Sequence, residues 1–449
     1  MTTEKMLVAA AVTGLCLLIC CAGGEADRVI EILDAESHLD ISDLWPGFAP
    51  LEIPVAVFDG DRTILARHPA PPVEFEPLPG HPGVLIYEGR HPVMTACTTG
   101  EIAGVRTALV TLDPEDHTPV DESAAVLVHE SFHVYAGSRH RDWGANEAQA
   151  FLYPVEDTLG LALRRLEEDA LRQALATGDD EDAGRWAAAA LEIRNTRSAR
   201  LAAPHMGYER GIELMEGTAF YVENRALGDA AKAPLSRGAY GVEDIRRRAY
   251  DTGRALCVLL DRFAPEWKPR LEEGPAVPLD SLLLEALGDR GVVPHDVAED
   301  VVAEETARAR EDIAALLESR KVEAREFLGA EGWTLEIVAD GAEGAFTSVT
   351  FDPMNLKLVG EDEILHRRML KLAGPSGTFE AMDRSVLTQA AGDHPLFSGI
   401  RRVVAAGLED EPAVREENGE TIITADGITA SVSAEAVDRQ GRVVTVRLR

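Results

Sequence analysis

The chain has 449 residues, 45 % of them hydrophobic and 27 % charged, which allows two or three domains of roughly 150 residues with real cores. Acidic residues outnumber Lys and Arg by 78 to 44, a formal net charge of −34. That balance argues against nucleic acid as a partner, since phosphate binding needs a basic face, and against docking on anionic lipid through a basic patch.

The N-terminus reads as a targeting signal. Lys5 opens a short charged region, and residues 7–19 are apolar over about the length of a signal-peptide core, too short to span a bilayer comfortably. Leu18-Ile19-Cys20-Cys21 resembles a bacterial lipobox with Cys21 as the lipidated residue, although Cys20 stands where Gly, Ala or Ser is usual. Ordinary cleavage near Gly24 to Ala26 and an uncleaved anchor are the alternatives. Each of the three places the rest of the chain in the cell envelope or outside it, with the N-terminus as the sole membrane attachment. Residues 1–26 are therefore expected to be an export signal. Cys97 and Cys257 are the remaining cysteines. Export permits a disulfide between them, and two free buried thiols is the simpler expectation.

Residues 27–120 read as proline-rich mixed structure, with a loop at 69–82 and strands at 84–87 and 105–112. Helical patterning then dominates from about 121 to 328. Asp121 and Ser123 are N-cap candidates for the first helix and Gly137 a candidate stop. Helical stretches follow at 145–176, interrupted near Pro154, and at 185–201, with an acidic turn at 177–183 between them. Residues 204–207 break the pattern before helices at 208–227 and 242–263. A charged helix at 297–328 reads as a connector. After Gly329, strands are expected at 333–338, 346–351, 421–425, 429–432 and 443–448. This β-rich domain, 330–449, holds His366 and His394 without metal-ligand spacing and is assigned no chemistry. The fold class expected is α+β.

The chemistry sits in His129-Glu130-Ser131-Phe132-His133. On a helix, residues four apart share a face, so both imidazoles can bind one Zn²⁺. Glu130 lies about 100° around the helix, within reach of a water as general base. The apolar residues 125–128, Phe132 and Val134 would bury this helix in a low-dielectric wall. A catalytic zinc needs a third ligand, and three residues compete: Glu216, Glu147 and His140. His140 would mimic the metzincin extension, but in a register wrong by one residue. Elsewhere His117, His205, Trp143 and Arg194-x-x-Arg197-x-x-Arg200 have no tie to the site, and the arginines read as a solvated helix face.

His129-Glu130-x-x-His133 followed by Glu216-Gly217-x-Ala219-x-Tyr221-Val222-Glu223 resembles the gluzincins, nearest the aminopeptidase-N and leukotriene-hydrolase branch. Tyr250-x-x-Gly253-x-x-Leu256 is similar to that branch's Tyr-x-x-Gly-x-x-Leu. The resemblance covers about 120–265. It implies Glu216 as the third zinc ligand and Tyr250 as hydrogen-bond donor to the oxyanion, and Glu223, on the face of Glu216, is placed to orient a histidine. Two departures stand out. The gap between His133 and Glu216 is longer than in that branch, as if 145–201 were a helical insertion. The Gly-x-Met-Glu-Asn segment that grips a free amino terminus is absent, so aminopeptidase activity does not carry over. Glu-Gly-x-Ala has a second reading, as a mark of close helix packing with Glu213 and Glu223 solvated.

These observations lead us to expect a zincin-like catalytic domain at 27–328 with a small sheet, followed by the β-rich domain. The expected activity is zinc-dependent cleavage of a peptide or protein, with extended substrate pairing along the strand at 105–112. The alternatives are a zinc hydrolase of another amide or ester, and an inactive envelope protein that binds a partner.

Overall fold

The computed structural model describes residues 24–113, 117–228, 235, 238–339, 344–351 and 355–449. The expected export signal lies outside them up to residue 23. The fold is α+β, and no described helix is long and apolar enough to cross a membrane. The chain divides into two compact units, residues 1–147 with 163–302, and residues 148–162 with 303–449.

The first unit opens with α1 (Gly24–His38). A six-stranded sheet follows: β1 (Val55–Phe58), β2 (Arg62–Ala66), β3 (Glu76–Pro77), β4 (Val84–Glu88), β5 (Thr98–Ile102) and β6 (Val105–Thr111). Its order is β3-β4-β2-β1-β6-β5, with only β1 and β6 parallel. Alternation along the strands sends Val55, Val57, Ile64, Ala108 and Val110 to one face. There they pack against Val29 and Ile32 of α1 and against Ala124 and Leu127 of α2 (Val120–Arg139). Ala56, Leu65 and Leu109 point to the opposite face, with Phe75 and Met94.

The helices that follow are α3 (Thr158–Ala176), α4 (Asp180–Ser198), α5 (Ala203–Ile212), α6 (Thr218–Ala226), α7 (Ile245–Phe263), α8 (Trp267–Glu273) and α9 (Leu279–Asp289). Several boundaries differ from expectation, each for a local reason. α2 is capped at Pro119, two residues before Asp121 and four before Ser123, and runs through Gly137 to Arg139; the glycine serves packing rather than termination. A Cβ there would lie 3.0 Å from Arg106 Nη1. The acidic residues 180–182 form the first turn of α4, where they meet the positive end of the helix dipole, and Asp179 caps it by accepting from the Asp182 N–H at 2.8 Å. Pro204 begins α5 instead of breaking it, because the first turn needs no donor there. The stretch before Pro154 is only a short 3₁₀ segment, Glu147–Leu152. Between α5 and α6 the expected single helix contains a π turn, Glu213–Gly217.

The second unit includes most of α10 (Glu299–Leu328), with the division inside this helix rather than at Gly329. Ala324 and Phe327 pack on Val359, Leu365, Leu387 and Val404, which draws the end of the helix into this unit. Its seven-stranded sheet pairs, in order, Ala434–Gln440, Val443–Leu448, Trp333–Val338, Ile400–Leu408, Val386–Ala390, Glu363–His366 and Leu356–Leu358. A six-stranded sheet contributes Phe379, Ala381, Leu370, Ile423 and Ala430 to the same core as Leu335, Ile337, Val403 and Val446, so the two sheets form a sandwich. Several of these strands, such as 363–366 and 400–408, were not expected; they are short or bulged.

Candidate metal centre

Three helices of the first unit build the site. α2 supplies His129 and His133 on one face, with Glu130 beside them. The π turn supplies Glu216, α6 supplies Glu223, and α7 supplies Arg246 and Tyr250. Glycine decides how α7 meets the π turn. A Cβ on Gly217 would fall 2.6 Å from Gly253 Cα, and one on Gly253 would fall 2.6 Å from the Glu213 carbonyl oxygen. The glycines of the two sequence motifs thus face each other at backbone contact. The close-packing reading of Glu-Gly-x-Ala holds, and it is the packing that carries Glu216 to the histidines. Neither Glu213 nor Glu223 is solvated: Glu213 is 1 % exposed and Glu223 is bonded to His129. π turns recur at functional sites because the extra residue redirects one side chain without ending the helix. Here Glu213 turns inward and Glu216 turns to the pocket.

Among the described residues one His/Glu group has metal-ligand spacing, and it is His129, His133 and Glu216. The two Nε2 atoms are 3.1 Å apart, and Glu216 Oε2 is 3.0 Å from His133 Nε2 and 3.6 Å from His129 Nε2. Tetrahedral ligands held at about 2.0–2.1 Å from zinc stand roughly 3.4 Å apart, so the spacing fits that ion. His129 Nδ1 is 2.8 Å from Glu223 Oε2. A carboxylate only accepts, so Nδ1 donates, and on loss of the second ring proton Nε2 would turn its lone pair to a bound cation. Burial alone would lower the His129 pKa, but Glu216 and Glu223 outweigh it and push it up to about 10. Burial likewise opposes ionisation of Glu216, yet His129, His133 and Arg246 hold it well below the usual carboxylate range. The donor set is two imidazoles and an ionised carboxylate, matched to a divalent cation.

The group opens on a cavity of about 440 Å³ also lined by Cys97, Thr98, Arg106, Glu130, Arg246 and Tyr250. Glu130 is buried, and its Oε2 makes no hydrogen bond. Burial raises its pKa, against the pull of the two histidines. The Tyr250 ring lies parallel to His129 with centroids 6.3 Å apart. Arg246 donates to the Tyr250 oxygen at 2.5 Å, to Glu216 Oε1 at 2.7 Å and to Glu147 Oε1 at 3.0 Å. Burial and the Glu216 charge raise the Tyr250 pKa despite Arg246, so the hydroxyl keeps its proton.

The rival ligands lie elsewhere. Glu147 reaches the site only through Arg246 and also accepts from Tyr208 at 3.3 Å. His140 stacks on Trp143 and bonds Glu272 at 3.1 Å. The strand at 105–112 is not a free edge, because β6 is paired with β1 on one side and β5 on the other. β5 is the edge strand, and its first residues line the cavity. Cys97 and Cys257 are both free thiols, the first exposed and the second buried.

Arg246 went unread in the sequence, although its position one turn before Tyr250 on α7 was available. Of the three arginines expected to be solvated, Arg194 and Arg197 prove buried and Arg200 is exposed. Arg194 donates to both oxygens of Glu213 at 2.7 and 2.6 Å, and Arg197 donates to Glu209 at 2.7 Å and to Glu167 at 2.9 Å. Comparison with protein-family models, with curated proteins and with solved structures returns no match.

Proposed function

We propose that this chain is a zinc-dependent hydrolase of the gluzincin type that cleaves peptide bonds. The observation that carries the proposal is the convergence of His129 Nε2, His133 Nε2 and Glu216 Oε2 to within 4.8 Å, with Glu223 bonded behind His129. Zinc bound there supplies Lewis acidity, enough to bring the pKa of a coordinated water to about 7. Glu130, buried beside the histidines with one oxygen unbonded, takes the proton of the attacking water and passes it to the leaving amine. Tyr250, held protonated and receiving a hydrogen bond from Arg246, donates to the developing oxyanion. An extended substrate adds to β5 by strand pairing. The apolar N-terminal segment and its lipobox-like cysteines support an exported enzyme, tethered through Cys21 or released. The test is a peptide-library digest by zinc-loaded protein and by Glu130→Gln. Cleavage by wild type that Glu130→Gln loses while keeping its zinc is the expected result. Equal cleavage by both, or no cleaved amide from either, would reject the mechanism.

A further inference from the structure

One wall of the cavity carries a cation with no obvious duty. Arg106, on β6, lines the cavity and is solvent-exposed. Among the described residues it makes no ion pair, although the chain has 78 acids for 44 bases. A partner stands ready: Glu101 on β5 is directly opposite Arg106 in the antiparallel register. Residues so placed share a face with Cβ atoms about 5 Å apart, and opposite charges there ordinarily pair. The Arg106 guanidinium instead reaches over Gly137 of α2, where a Cβ would sit only 3.0 Å from Nη1. The other cation in the cavity is already committed, since Arg246 serves Glu216, Tyr250 and Glu147.

We infer that Arg106 is a specificity residue that binds a carboxylate of the substrate. Gly137 is one helical turn beyond His133, roughly 6 Å along α2. Consecutive Cα atoms are about 3.8 Å apart, so the carboxylate belongs within one or two residues of the scissile bond. It is either the chain's own C-terminus or an acidic side chain at that position. Both offer the planar pair of oxygens that a guanidinium fork matches. The inference rests on the hydrolase reading for the position of the scissile bond.

The test is equilibrium binding by calorimetry to the full-length Glu130→Gln protein, which retains the site without turnover. Three probes are used: an N-acetylated tripeptide acid, its C-terminal amide, and the amide with glutamate as last residue. The acid, the glutamyl amide or both are expected to bind at least tenfold tighter than the plain amide, and which of them does so identifies the source of the carboxylate. Adding Arg106→Gln collapses that difference, Arg106→Lys keeps part of it, and Gly137→Ala, which crowds the guanidinium, reduces it. Thermal melts check that each variant is folded. Equal binding of all three probes overturns the inference, as does a preference that survives Arg106→Gln. Failure of the hydrolase reading shows separately as zinc well below one per chain, and the titrations still score the anion preference on that protein.

Discussion

The first unit contains two clusters of buried charge that α7 touches in turn, and they are opposites. In the arginine cluster every carboxylate is answered. Glu167 receives Arg194 and Arg197 and pairs with Arg248, Glu209 receives Arg197, and Glu213 receives Arg194 and the Thr252 hydroxyl. At the candidate metal centre the polar atoms are left facing one another: two imidazole nitrogens 3.1 Å apart and a buried Glu130 oxygen without a hydrogen bond. A network that pairs every carboxylate fixes helices in place, whereas a buried carboxylate oxygen without a donor costs stability and persists where chemistry uses it. The two meet in the π turn, where Glu213 locks into the arginines and Glu216 faces the histidines.

The contrast breaks most sharply on removal of one carboxylate from each cluster. Glu167→Gln leaves three buried arginines short of charge and should cost about 3–5 kcal/mol in chemical denaturation. Glu130→Gln should leave the denaturation midpoint unchanged or higher while lowering kcat by about 10²- to 10⁴-fold. A midpoint that fell as far as for Glu167→Gln would mean that Glu130 is structural.

Acid weakens both regions, but over different pH windows. The arginines hold Glu167 low and Glu209 down to about 2 against burial, so their contribution is full above the ordinary carboxylate pKa and fades as pH falls below it. In the sandwich, burial lowers His366 from 6.5 to about 4, with Thr388 as its hydrogen-bond partner. The unfolded chain takes up that proton first, so the sandwich should lose up to about 3 kcal/mol between pH 6.5 and 4, while the arginine cluster is still intact. His366→Gln should flatten this part of a pH–stability profile. The smallest effect concerns the histidine's support: Glu223→Gln should weaken zinc binding by about 10- to 100-fold, read by chelator competition.

What could be read from the sequence follows the same division. His129, His133 and Glu130 were legible because helical spacing alone joins them, and Glu216 through the resemblance of its segment to a known motif; that Gly217 meets Gly253 at backbone contact was not read. The arginine cluster was not legible. Arg194 and Arg197 at helical spacing look the same whether that face meets water or Glu167 and Glu213 on other helices. The edge of the sheet was missed for a related reason, since the apolar 105–112 run is what a strand paired on both sides looks like, while the polar Thr98–Ile102 forms the edge.

The most direct measurement is zinc per chain by elemental analysis for wild type, Glu216→Ala and Glu147→Ala. Close to one zinc in wild type and Glu147→Ala, with loss in Glu216→Ala, is the predicted result. Loss in Glu147→Ala alone, or a wild type that holds no zinc, would contradict the account.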